Sequence, residues 1–199
     1  MPTPLFSWAA PARSPWRLAP LLLLLACAPK TRPAALSPAV PTLYAGLLQP
    51  QAPGAAAGPI PRAVQDEATR LLVQRGLTPT VLPEGALRDG LGPARTHPQR
   101  LAYLAGEAKG AGLLVMMETE ALFYAQIEGR NRWTVRVRLS ISPQDDLNQA
   151  LVEEFEVPVF LQFLHEKEDR AVEEAGPLIA RRLAAALDQV VAARAAAPR

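Results

Sequence analysis

Cys27 is the only thiol in this 199-residue chain, and it follows Leu24-Leu25-Ala26 directly, at the end of an apolar run. Arg13 and Arg17 stand ahead of that run, which is far shorter than the roughly 20 residues a spanning helix needs. Basic residues, then a short apolar stretch, then a small residue read as a cleaved export signal. The thiol stands where such a signal would be cut. The other reactive residue types are sparse. His97 and His165 are the only histidines, and Leu164-His165-Glu166-Lys167-Glu168 lacks the His-x-x-x-His spacing that sets two metal ligands on one helix face. Ser140 and Ser142 fall in a strand-like stretch without the sharp Gly-x-Ser-x-Gly turn a hydrolase nucleophile needs. The expectation is a protein with no enzyme activity and no metal.

Leu24 three residues before Cys27, and Ala26 one before it, resemble the lipobox of bacterial lipoproteins. That resemblance implies a cut between Ala26 and Cys27, diacylglycerol thioether-linked to Cys27, and an N-acyl chain such as palmitate on the new amine, with no other cofactor. In some bacteria an aspartate after the lipidated cysteine retains the protein at the inner membrane. Here Ala28 follows, which points to the outer membrane and its periplasmic face. Arg13 and Arg17 leave with the signal, bringing the 21 basic residues level with the 19 acidic ones. No basic excess remains to bind nucleic acid. With its thiol acylated the chain makes no disulfide, so its stability must come from an apolar core.

Residues 1–26 are therefore the expected signal peptide, and 27–41 a lipidated tether carrying Pro29, Pro33, Pro38 and Pro41. At about 3.1 Å per residue in polyproline conformation, the tether spans roughly 40 Å. Residues 42–195 should form one α/β domain, and 196–199 a disordered tail. The first strand is expected over 42–48, followed by a loop over 49–61 rich in Pro, Gly and Ala. Val64, Ala68, Leu71 and Leu72 at helical spacing, between Pro61 and Gly76, predict a helix. A strand over 78–82 should follow, and then a stretch over 83–95 that is mostly loop with one turn of helix. Thr96 and Gln99 have capping-box spacing ahead of the stripe Leu101, Leu104, Ala105 and Ala108, which predicts a second helix. The closing segment, 166–195, carries the stripe Ile179, Leu183, Leu187, Val190 and Val191, with a kink or restart expected at Gly176-Pro177.

Three strands over 113–126, 132–142 and 150–163 are expected as an antiparallel meander. Trp133, Val135, Val137, Leu139 and Ile141 share one face; Thr134, Arg136, Arg138 and Ser140 share the other. Turns near Glu128-Gly129 and Asp146 set Arg138 between Glu118 and Glu154, and Arg136 between Glu120 and Glu156. Such a surface reads as a solvated charge ladder whose main effect is to fix register. Phe123, Tyr124 and Phe160 lie in runs that are apolar on both strand faces, which fit either a doubly buried core strand or a partner contact.

The predicted order β-α-β-α-β-β-β-α makes an α/β (α+β two-layer) fold, a mixed sheet of about four to five strands with helices on one face. This order, with Ala108-Lys109-Gly110-Ala111-Gly112-Leu113-Leu114-Val115 leading into the meander, resembles the module of curli-secretion lipoproteins, penicillin-binding-protein activator lipoproteins and the TolB amino-terminal domain. Gly58-Pro59-Ile60-Pro61-Arg62-Ala63-Val64 ahead of a helix also resembles the lipopolysaccharide-assembly lipoprotein family LptE. These resemblances imply an assembly or regulatory partner of a cell-envelope machine, held to the outer-membrane leaflet by its acyl chains and contacting an envelope protein. The alternative they imply is lipopolysaccharide transport or lipid carriage.

Overall fold

The computed structural model describes residues 39–51, 55–92, 95–162 and 167–196. Cys27, Ala26, the signal, most of the tether and His165 lie outside them.

The fold is the mixed α/β sheet expected from the sequence. Its strands are β1 (Val40–Gln49), β2 (Gly58–Pro59), β3 (Leu77–Val81), β4 (Leu113–Ile127), β5 (Arg130–Pro143) and β6 (Leu151–Leu161). Its helices are α1 (Arg62–Gln74), α2 (Glu84–Gly90), α3 (His97–Glu107) and α4 (Glu168–Ala196). The sheet order is β2-β1-β4-β5-β6, with β3 also paired to β1. β1 runs parallel to β3 and β4, and the β4-β5-β6 meander is antiparallel.

Period-two alternation gives the sheet two different faces. On the first, Tyr44, Leu48, Val115, Met117, Val135, Val137 and Leu139 meet the stripe Val64, Ala68, Leu71 and Leu72 of α1 and Ala171, Val172, Ile179, Leu183 and Leu187 of α4. The two helices are tied to each other by Arg75, which donates from Nε and Nη2 to the carboxylate of Asp188 at 2.8 and 3.1 Å. The second face is also partly roofed, beyond the one-sided helix layer expected. There Leu43, Ala45, Leu47, Leu114 and Met116 pack against Leu87 of α2 and Leu101, Leu104 and Ala108 of α3. The reason is local: in the base half of β1 and β4 both side-chain parities are apolar, so the second face needs cover there and not further on.

Three other expectations are corrected. The helical turn expected within 83–95 extends to a seven-residue helix, α2, whose Leu87 and Gly90 are buried. The loop over 49–61 returns to the sheet as β2, paired to Leu47 and Leu48, with Ala57 and Ile60 buried. The restart expected at Gly176-Pro177 does not occur: helix α4 continues through Pro177. Pro177 is exposed, so the carbonyl its missing N–H leaves unpaired is on the solvent side, where water can satisfy it. Pro177→Ala should therefore raise the unfolding free energy by roughly 1–2 kcal/mol, the helix-propensity gain less the added freedom of the unfolded chain. A lower urea midpoint in the variant would show instead that the proline geometry is needed for packing.

The long hairpin closes through Glu128 at φ 51° and Gly129 at φ 78°. Two successive left-handed residues form the two-residue turn whose twist matches the flanking strands. A bulge between Phe123 and Ala125 makes Tyr124 the extra residue.

Candidate functional site

The charge ladder forms in the expected register. Arg138 lies opposite Glu118 and Glu154, and Arg136 opposite Glu120 and Glu156. Arg136 Nε donates to Glu156 at 3.0 Å and Arg138 Nε to Glu154 at 2.6 Å. One rung departs from the solvated picture. Glu118 is buried, with 6% of its side chain exposed, because the first turns of α3 lie over it.

The capping box positions that helix. Thr96 N–H donates to Gln99 Oε1 at 2.8 Å, and the Thr96 side chain accepts from the N3 backbone. Starting the helix there puts His97 and Arg100, three residues apart, on the face turned to the sheet. Arg100 Nη1 donates to Glu118 Oε1. His97 Nδ1 lies 2.5 Å from Glu118 Oε2, and since an ionised carboxylate only accepts, Nδ1 carries the hydrogen. His97 Nε2 is 3.1 Å from Ser140 Oγ, and Arg138 Nη1 is 3.9 Å from Glu118 Oε2. With the Gln49 amide oxygen turned toward Arg100, it accepts from Nη1 at 3.0 Å and Nη2 at 3.2 Å. Burial alone would push the Glu118 carboxyl up. The hydrogen bonds and charges of His97 and Arg100 together outweigh it and hold the carboxyl below the usual carboxylate range.

Ser140, His97 and Glu118 thus follow one another in the order of a hydrolase relay. Access limits what that relay can do. Ser140 is completely buried in the last third of β5, beside His97 of α3, so no substrate carbonyl reaches its hydroxyl in this conformation. Arg100 and Arg138 also draw on the same carboxylate that would orient the imidazole. The chemistry fits a buried clasp between α3 and the sheet. The sequence pointed to the ladder and to the helix start separately. Only the packing of α3 over β4 and β5 brings His97 and Arg100 to Glu118.

An open cleft of about 680 Å³ lies beside the clasp, lined by residues including Gln49, Arg100, Glu118, Glu120, Arg136 and Glu156. Among the described residues no cluster of metal-ligating side chains occurs, and no helix is long and apolar enough to cross a membrane.

The three partner-contact candidates lie at the hairpin end of the sheet. Phe123 is 48% exposed, Tyr124 68% and Phe160 51%. Phe123 meets the Trp133 ring edge-on at 5.5 Å. Along β6, Val157, Val159 and Leu161 are buried while Phe160 faces water. Phe160→Ser should accordingly leave the domain folded, changing stability by roughly 1 kcal/mol or less. A collapse of the near-ultraviolet circular dichroism of Phe160→Ser would place that ring in the core instead.

No family model and no curated protein matches the chain. Solved structures with a similar layout include a PelC dodecamer from Paraburkholderia phytofirmans, at 14% identity, TM-score 0.37, covering 75% of this chain and 86% of that one. The rare lipoprotein B from Shewanella oneidensis aligns at 7% identity, TM-score 0.29, over 77% of this chain and 93% of that one. An uncharacterized lipoprotein B from Nitrosomonas europaea aligns at 11% identity, TM-score 0.30, over 76% and 80%. Two of these three neighbours are lipoproteins by name.

Proposed function

We propose that the chain is an envelope lipoprotein, anchored through Cys27 to the periplasmic face of the outer membrane, that serves without catalysis as an assembly or regulatory partner of an envelope machine. The observation that carries this reading is the sole cysteine at the end of Leu24-Leu25-Ala26, behind a short apolar run and two arginines. The polar site supports the non-catalytic half: the serine of its serine-histidine-carboxylate relay is fully buried, and the exposed charges of the ladder are paired with one another. A carrier would need an enclosed apolar cavity, whereas the cleft beside the clasp is open and lined by charges.

Acyl chains contribute about 0.8 kcal/mol per buried methylene, and two or more make a durable anchor. Cys27→Ser should therefore abolish the acyl chains and leave the signal uncut, moving the protein out of the outer-membrane fraction of a sucrose gradient. A Cys27→Ser protein that still fractionates with the outer membrane at its mature mass would overturn the proposal. Pull-down of the tethered protein should return an envelope protein; recovery of a bound lipid and no protein would favour the carrier.

A further inference from the structure

Beyond the ladder, the second sheet face changes character. Leu122 and Pro158 flank Thr134, Ala125 and Phe160 flank Arg132, and Ile127 lies opposite Arg130. Tyr124, the bulge residue, holds its ring 4.8 Å from the Arg132 guanidinium. Ile127, like Tyr124 and Phe160, is exposed. These rows carry two arginines and several large apolar groups but no carboxylate. Among the described residues the nearest on this face are Glu120 and Glu156, one row back, and Glu128 sits in the turn.

We infer that this hairpin end is a second membrane contact that takes an anionic lipid surface; the inference rests on the lipid-anchor reading above. Aromatic rings with arginines and no opposing acid are the composition of interfacial anchors, with cations at the phosphates and rings at the headgroup level. The charge is complementary to a bilayer of anionic lipid. Phe123, on the opposite sheet face, makes the end of the hairpin apolar on both sides. A fluid surface can wrap both sides, whereas a rigid protein patch engages one. The turn itself is polar, so the contact is oblique: the second face lies toward the lipid, with Glu128 and Arg130 among the head groups. An acyl anchor on the same chain keeps a bilayer close to the domain, so even a weak patch engages at high effective concentration.

The test uses the mature lipoprotein reconstituted into vesicles of phosphatidylethanolamine and phosphatidylglycerol. Acylation consumes the Cys27 thiol, so Phe160→Cys or Ile127→Cys supplies the sole site for an environment-sensitive fluorophore. Glu154→Cys serves as a control on the ladder. Labels at 160 and 127 should shift to the blue and be quenched by spin-labelled lipids, while the label at 154 stays wet. The shift should be lost in phosphatidylcholine vesicles, in high salt, and on Arg130→Glu with Arg132→Glu. Protein that floats with the vesicles but keeps wet labels at 160 and 127 overturns this inference and leaves the anchor reading standing. Protein that does not float at all overturns both. Shielding that appears only when solubilised envelope proteins are added assigns the patch to a protein and overturns the lipid contact.

Discussion

Glu118→Ala should lower the unfolding free energy by roughly 3–5 kcal/mol, because it leaves a buried guanidinium without its carboxylate. Arg100 is 9% exposed, and its charge is balanced by Glu118, with the Gln49 amide and the Gly92 carbonyl as its further acceptors among the described residues. His97 loses the acceptor that holds its ring, and with it the link to Ser140. Helix α3 should then lift from β4 and β5. Glu154→Ala makes the comparison, since it removes an exposed partner of Arg138, and such pairs contribute roughly 0–1 kcal/mol. Urea unfolding of the two variants should separate them clearly; equal losses would mean that the clasp is as solvated as the ladder. Acid dependence follows from the same contacts. The folded carboxyl is held below its ordinary value of 4.5, so its contribution is fully present above that value. It is lost as pH falls through the lower folded value. Glu118→Gln should flatten this acid limb, and an unaltered limb would assign acid sensitivity to other groups.

Leu183→Ala is expected to cost roughly 2–5 kcal/mol. Leu183 has no exposed surface and sits in the contact of α4 with α1 and the first sheet face, among Val64, Met117 and Ile179. Helices α1 and α4 and the sheet are packed against one another and cannot all close on the space left behind, so a cavity term adds to the lost burial. Val191, on the same helix, is 38% exposed, and Val191→Ala should change stability by about 0.5 kcal/mol or less. Guanidinium unfolding of both variants tests which side of α4 is docked. A small effect for Leu183→Ala would mean that the closing helix contributes little to the core.

The meander was legible in the sequence because strand parity and two short turns leave few registers open. Trp133, Val135 and Val137 could share a buried face only if Arg136 and Arg138 met the glutamates on both neighbouring strands, and those pairs are the ones observed. Helix α3 was legible from its capping box and stripe. The burial of Glu118 was not, because nothing local to β4 tells that His97 and Arg100, about twenty residues earlier, will lie over it. The small elements escaped for the opposite reason. Gly58-Pro59 and the turns of α2 have weak propensity, and tertiary contact through Ile60 and Leu87 decides them. Phe160 shows how an apolar run of mixed parity hides its exposed members: one strand buries Val157, Val159 and Leu161 and leaves Phe160 in water.

Intact-mass and amino-terminal peptide analysis of the protein extracted from its host membranes tests the lipid-anchor claim most directly. The account predicts a chain beginning at Cys27 with a blocked amine and a thioether-linked diacylglycerol on its sulfur. A chain that begins elsewhere, or one that begins at Cys27 with a free thiol, would contradict it.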